Sequence, residues 1–165
     1  MKHVDTTTEP ITLHPFTVAE AERLLAGEIA ATDGWEGGYA FTDEPELLRE
    51  FVRTVREDGD PAPFGPYLVH RGAEGAAIGG VNLFGPPDEH GAVEFAFGLV
   101  PAVRGQGLSV PTVVAALELA RSAGAKLVRA HAEVENLPAR RALERAGMQR
   151  TAEAEGQLVY ERRFA

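Results

Sequence analysis

Between Ala92 and Val134 the chain reads as a strand, a tight turn, a helix and a second strand in immediate succession. Ala92 to Val100 alternates in the manner of a half-buried strand. Gly105 and Gly107 then punctuate a short turn, and apolar residues recur at helical spacing from about Leu108 to Ala123. Pro111 falls in the first turn of that helix, where a missing N–H does no harm. Gly124 stops the helix, and Leu127 to Val134 forms the next strand. A strand–helix–strand unit of this length joins parallel strands by a right-handed crossover. This single unit excludes an all-helical bundle and an all-antiparallel barrel.

The flanking sequence adds short elements cut apart by 18 Gly and 11 Pro. Ile11 to Leu13 reads as a strand. Thr17 and Glu20 stand three apart in a capping-box pattern, and Val18, Ala21, Leu25 and Ile29 follow at helical spacing. A second helix starts near Thr42 or Asp43 and carries Leu47, Leu48, Phe51, Val52 and Val55 on one face. Strands at 67–70 and 77–84 flank a hairpin turn at 72–75. Pro138 to Ala146 is a short helix stopped by Gly147, and strands at 148–155 and 158–164 close a hairpin around Gly156. The element order is β-α-α-β-β-β-α-β-α-β-β, which predicts an α+β (mixed α/β) fold with a mixed sheet. The 165 residues fit one domain spanning 1–165. With 44% hydrophobic and 25% charged residues the chain can build a core without staples and is not a disordered one.

Charge narrows the partners. The net charge of −9 argues against nucleic acid and against an anionic membrane surface, both of which need clustered cations. It is compatible with a cationic substrate such as an amine, although plain solubility is the ordinary reason for such a charge. The absence of cysteine excludes disulfides, thiolate nucleophiles and Cys-ligated metals. With no signal core at the N-terminus and no long apolar run, a cytoplasmic location is the expectation. The histidines lack ligand-like spacing, so no metal is expected, and His131-Ala132-Glu133 has no cysteines to complete a zinc-deaminase motif.

Two places carry chemistry. The first is the turn Arg104-Gly105-Gln106-Gly107-Leu108-Ser109, between a strand end and a helix start. Successive amides there can point into one concavity at the positive end of the helix, a site suited to phosphate or pyrophosphate. Neither the Gly-Lys-Ser/Thr of a P-loop nor the third glycine of a dinucleotide fingerprint is present, since Val110 stands at that position. A plain connecting turn is the competing reading. The second is the strand 92–100. Val93, Phe95, Phe97 and Leu99 make a core face, while the other face holds Ala92, Glu94, Ala96 and Gly98. A carboxylate among small residues on a central strand is unexpected for packing and leaves room beside the sheet for a ligand. Glu94 is therefore either a general base, directly or through a water, or the partner of an Arg such as Arg129. Arg129, His131 and Glu133 share one face of the strand 127–134, and the loop 33–41 brings Trp35, Tyr39 and Phe41 either to a ligand wall or onto the core.

The turn at Arg104 to Ser109 resembles the acyl-CoA pyrophosphate loop, Arg/Gln-x-x-Gly-x-Gly/Ala, of the GNAT N-acetyltransferases, with Ser109 at the last small position. Asn136-Leu137-Pro138-Ala139-Arg140-Arg141-Ala142-Leu143-Glu144-Arg145-Ala146-Gly147-Met148 resembles the family's Asn-x-x-Ser…Glu-Lys-x-Gly-Phe segment, with Ala139 for Ser and Met148 for Phe. The resemblance covers nearly the whole chain from Ile11, and the ribosomal-protein N-terminal acetyltransferases belong to the subgroup it looks most like. It implies a GNAT-like central, mostly antiparallel sheet of about six to seven strands, flanked by about four helices and splayed at the cofactor site.

The resemblance further implies acetyl-CoA as co-substrate. Its pyrophosphate would rest on the amides of Arg104, Gly105, Gln106, Gly107, Leu108 and Ser109, and its pantetheine along Phe97, Gly98 and Leu99. Asn136 would cap the next helix and also face the cofactor arm. Glu94 would serve as base, the amide near Leu99 as oxyanion donor, and Trp35, Tyr39, Arg129 and His131 would bind the acceptor. The acceptor would be a small-molecule amine or a peptide N-terminus, and a homodimer is left open. Leu143 stands where the family often has a Tyr general acid. Two rivals follow from these departures: an acetyltransferase for a small metabolite or antibiotic amine, and a catalytically silent acyl-CoA binder.

Overall fold

Thr17 sets the first helix in register with the sheet that precedes it. Its hydroxyl accepts a hydrogen bond from the Glu20 amide at 3.1 Å, and its own amide donates to Glu20 Oε1 at 2.9 Å, which completes the capping box. The computed structural model of the chain describes residues 6–8, 11–26, 45–72, 77–99, 103 and 105–164. Its strands are β1 (Thr6–Thr8), β2 (Ile11–Pro15), β3 (Gly65–Arg71), β4 (Ala77–Phe84), β5 (Ala92–Leu99), β6 (Leu127–Glu133), β7 (Gln149–Ala154) and β8 (Gln157–Arg163). Its helices are α1 (Val18–Leu25), α2 (Pro45–Asp58), α3 (Ser109–Ser122) and α4 (Leu137–Arg145). The sequence places Ile29 in the first helix and Thr42 or Asp43 at the start of the second, and those positions lie outside the described residues.

The strands form one sheet in the order β1-β2-β3-β4-β5-β6-β8-β7. Every neighbouring pair is antiparallel except β5 and β6. That exception is the pair joined through α3, as the crossover reading requires. The seven longer strands match the expected sheet, and the three-residue β1 adds an edge beside β2. The closing hairpin turns at Glu155 and Gly156, with φ of 54° and 80°. Two consecutive left-handed residues make the hairpin turn that suits the right-handed twist of paired strands.

Alternation sorts the side chains onto two faces. On one, α3 and α4 pack Val113, Ala116 and Leu143 against Val81, Leu83, Phe95, Val128, Ala130 and Tyr160. On the other, α1 and α2 bring Ala21, Leu24, Leu48, Phe51 and Val52 onto Phe16 and Leu68. The first layer runs across the sheet, whereas the second covers its β2–β4 half. As a result Ala96, Gly98, His131 and Glu133, on the α1–α2 face of β5 and β6, stay exposed. The uncovered half of that face is where a ligand can meet the sheet.

Gly79 holds β4 close to β5. It pairs with Leu99, and a Cβ built on it would sit 2.2 Å from the Gly98 carbonyl oxygen. That oxygen is main chain and cannot swing aside as a side chain could, so the strands themselves would have to shift. Gly79→Ala should therefore lower stability by about 1–3 kcal/mol, the usual cost of overpacking, visible as a lower urea midpoint. An unchanged midpoint would show that the two strands are free to separate.

Candidate active site

Strands β5 and β6 are paired only at their beginnings. β5 is held to β4 from Phe84↔Glu94 to Gly79↔Leu99, and β6 to β8 along its whole length from Leu127 to Glu133. Between β5 and β6 the register consists of Ala92↔Leu127, Val93↔Val128 and Glu94↔Arg129, and stops there. Each half of the sheet follows its own antiparallel neighbour, and a wedge opens past Glu94. The expected splay is present and starts well before Gly98, the position at which the sequence places it. Phe97, Gly98 and Leu99 lie along the β5 side of the wedge. A Cβ on Gly98 would meet nothing within 4 Å, so the space beside it is open.

The wedge leads toward the turn before α3. Gly105 and Gly107 have φ of 81° and 73°, and a Cβ at either would meet no atom within 4 Å. Glycine is needed here for backbone conformation, not for packing. Leu108 is the N-cap of α3 and provides no side-chain acceptor, and no acidic residue lies in the first turn. The first-turn amides of α3, Ser109 among them, therefore lack a capping side chain at the positive end of the helix. Arg71, the last residue of β3, donates to Gln106 Oε1 at 2.9 Å and places a guanidinium beside the turn. Arg104 lies outside the described residues.

Glu94 occupies the last paired position before the wedge. Its Oε1 is 3.7 Å from Arg129 and 3.5 Å from His131 Nε2, and 45% of its side chain is exposed. Arg129 is held more firmly by Glu161 of β8, whose Oε2 accepts at 2.9 Å from Nε and lies 2.8 Å from Nη2. The hydrogen bond to Glu161 comes first among the causes that raise the Arg129 pKa, with a smaller contribution from Glu94. Both sequence readings of Glu94 thus meet in one place: it has Arg129 as a neighbour, yet Glu161 neutralises most of that charge. Glu94 is left as a half-exposed carboxylate beside His131. Among the described residues no group of three or more His, Asp or Glu side chains could hold a metal ion.

Asn136 caps α4, accepting from the Ala139 amide at 3.2 Å. Leu143 is fully buried in the main core. Trp35, Tyr39 and Phe41 lie outside the described residues. The structure brings Glu94, Arg129 and His131 together, and the turn before α3 follows the β5 edge. Sequence reasoning misses Arg71 and Glu161, which stand 35 and 32 residues from their partners and carry no motif.

The family model of the acetyltransferase (GNAT) domain matches residues 11–149. Among curated proteins none matches the sequence. The fold is similar to that of a proposed ribosomal-protein-serine acetyltransferase from Vibrio cholerae, with a TM-score of 0.68, 14% identity and 99% of each chain covered. It is similar to Mycobacterium smegmatis RimJ in complex with CoA-disulfide, with a TM-score of 0.64 and 16% identity over 93% of this chain and 81% of that one. An aminoglycoside acetyltransferase in complex with coenzyme A is similar at a TM-score of 0.64 and 19% identity, covering 93% of this chain and 94% of the other.

Loss of the Asn136 cap is measurable apart from any ligand. Asn136→Ala should cost about 1 kcal/mol of stability in urea denaturation, as for other N-caps. A cost near zero would mean that the side chain contributes nothing to folding.

Proposed function

The chain belongs to the GNAT acetyltransferase family, and from that premise we propose that it moves an acetyl group from acetyl-CoA to a primary amine, either a protein N-terminus or a small molecule. The observation that carries this reading is the position of Glu94, a half-exposed carboxylate at the apex of a wedge that runs to an uncapped helix N-terminus. The residues present fit an acyl-CoA. Gly105 and Gly107 leave the backbone open to a pyrophosphate, the amides of Gly105 to Ser109 offer donors, and Arg71 offers a cation. Arg104 is assigned to the same loop on its motif alone. The β5 edge at Phe97, Gly98 and Leu99 offers main-chain groups to the amides of a pantetheine arm. Asn136 stands at the start of α4, where it faces the same arm in this reading.

Acetyl-CoA supplies the activated thioester. Glu94 takes a proton from the ammonium, directly or through a water, and the amine nitrogen attacks the thioester carbonyl. The Leu99 amide donates to the oxygen that gains charge. The nitrogen gives up its second proton to water, and collapse of the tetrahedral centre breaks the C–S bond and releases coenzyme A as a thiolate. Leu143 offers no proton to it, and with a thiol pKa of about 8.5 the thiolate departs unaided. With no cysteine in the chain, transfer is direct. Glu161 neutralises Arg129, so the field near Glu94 and His131 remains acceptable to a cationic amine. Absence of cysteine and use of acetyl-CoA both fit the cytoplasm.

Buried Leu143 and the Ala at 139 favour one second reading, an acyl-CoA binder without turnover. Glu94→Gln decides between them. It should lower kcat by roughly 100-fold or more while the acetyl-CoA dissociation constant from isothermal titration stays the same. Binding of acetyl-CoA by the wild type with no release of free thiol across amines and N-terminal peptides supports the silent binder. Failure to bind at millimolar acetyl-CoA removes both readings.

Arg71→Ala tests the cofactor end separately. It should weaken acetyl-CoA about tenfold or more, the scale of one charge-assisted hydrogen bond, with no change in the KM of the amine. Unchanged cofactor affinity would detach Arg71 from the site.

A further inference from the structure

An ammonium that ends as an amide gives up two protons, and the open half of the sheet face holds two basic groups to take them. The first is Glu94. Its closest contacts, Arg129 at 3.7 Å and His131 Nε2 at 3.5 Å, are both to Oε1, and Oε2 is left for the amine. The second is His131. Because Nε2 faces a carboxylate, the neutral ring carries its proton there and keeps its lone pair on Nδ1. Nδ1 has no hydrogen-bond partner among the described residues, and 37% of the side chain is exposed. The other histidines of the described residues stand elsewhere: His14 and His70 meet edge to face at 6.0 Å on β2 and β3, and His90 lies beside Glu89 ahead of β5.

Register sets the ring against the wedge. The parallel pairing ends at Glu94↔Arg129, and His131 follows two residues later on β6, on the same face as Arg129. Glu94 therefore belongs to one wall of the wedge and His131 to the other, and the small side chains of Ala96 and Gly98 leave the space beside them open. On β8, Val159 stands opposite the ring, with Glu161 and Gln157 at the flanking positions of the same face. Arg129 and Glu133 flank it on β6; Glu161 takes up Arg129 at 2.8 Å, and Glu133 is exposed. α1 and α2 cover the other half of this face. Water thus reaches the ring, and Glu94 is the charged group within ion-pair distance of it.

The order of events makes the second proton matter. When the amine attacks, Glu94 already holds the first proton and cannot take another. The nitrogen of the tetrahedral centre then carries two protons and a positive charge, and it can leave again as readily as the sulfur. Losing one proton makes it the poorer leaving group and commits the centre to C–S cleavage. Water alone is a weak base for this step, whereas an imidazole is suited to neutral pH. We propose that His131 is the second base of the reaction. A water on Nδ1 receives the proton as the nitrogen releases it, the ring takes a proton from that water in the same step, and Glu94 holds the ring in the required tautomer. The N–H electron pair stays on nitrogen and enters the amide, and the imidazolium returns its proton to solvent. This role goes beyond binding the acceptor, and it rests on the reading of the chain as an amine acetyltransferase.

The test uses acetyl-CoA with the amine or N-terminal peptide that wild type acetylates fastest, read by release of free thiol. His131→Ala should lower kcat about 100-fold, with the amine KM and the acetyl-CoA dissociation constant unchanged. Added imidazole should restore kcat of this variant about tenfold or more, in a saturable way, because a small base fits the space the side chain leaves. It should restore nothing in Glu94→Gln, where the first base is missing. A raised amine KM at unchanged kcat would make His131 a binding residue only and overturns the proposal. So does a kcat within about threefold of wild type, or a lost kcat that imidazole does not restore. Nitrogen NMR of histidine-labelled wild type reads the tautomer independently, above the pH range in which histidine titrates. Nε2 should carry the proton, and a proton on Nδ1 overturns the proposal whether or not the alanine variant folds. A wild type that binds acetyl-CoA and acetylates no amine removes the acetyltransferase reading and this role with it, whereas an active wild type with an equally active alanine variant removes the role alone.

Discussion

Three parallel pairs of residues hold the two halves of this sheet together, and their end at Glu94 and Arg129 organises everything that bears on function. β5 belongs to an antiparallel block with β4 and β3, and β6 to one with β8 and β7. Where the parallel contact stops, the blocks diverge and leave a main-chain edge that no strand of the described residues covers. A sheet edge is normally a liability, open to pairing with other chains. Here it is internal, flanked by α3 on one face, and leads to the amides at the start of that helix. A wedge of this kind suits a long ligand with an amide-bearing arm and an anionic head. The same wedge has Glu94 at its apex because Glu94 is the last residue that still has a neighbour on β6.

Charge is distributed to fit two ligands of opposite sign. The whole chain carries −9, yet the turn before α3 has no acidic residue in its first helical turn and has Arg71 beside it. At the other end of the wedge, Glu161 takes up most of the charge of Arg129, and Glu94 keeps its own. Local arrangement decides this, since a surface cation and anion a Debye length apart hardly feel the net charge. Total charge alone pointed first to solubility and left substrate attraction open.

Much of the fold was legible before any coordinates. The capping box at Thr17 and Glu20, the helix stops at Gly124 and Gly147 and the strand alternation of Ala92 to Leu99 are local signals, and each forms where expected. Element ends moved by a residue or so, as at Ser109, where Leu108 turns out to be the cap. The three-residue β1 was not legible, because three threonines pair with β2 only once β2 is placed beside them. Of the site, Glu94 could be singled out because a carboxylate on an apolar central strand breaks a pattern. Arg71 and Glu161 break no pattern, and their partners lie 35 and 32 residues away.

The sequence by itself determined the order of elements, the right-handed crossover and the residue types at the turn and on β5. All depend on interactions between residues near one another in the chain: caps, turns and periodicity. The tertiary structure alone decided where the parallel strands part, which cation stands beside the turn and which carboxylate neutralises Arg129. These depend on register between strands and on which half of a sheet face the helices cover. Register is set by the sum of many long-range contacts, and no stretch of sequence holds that sum.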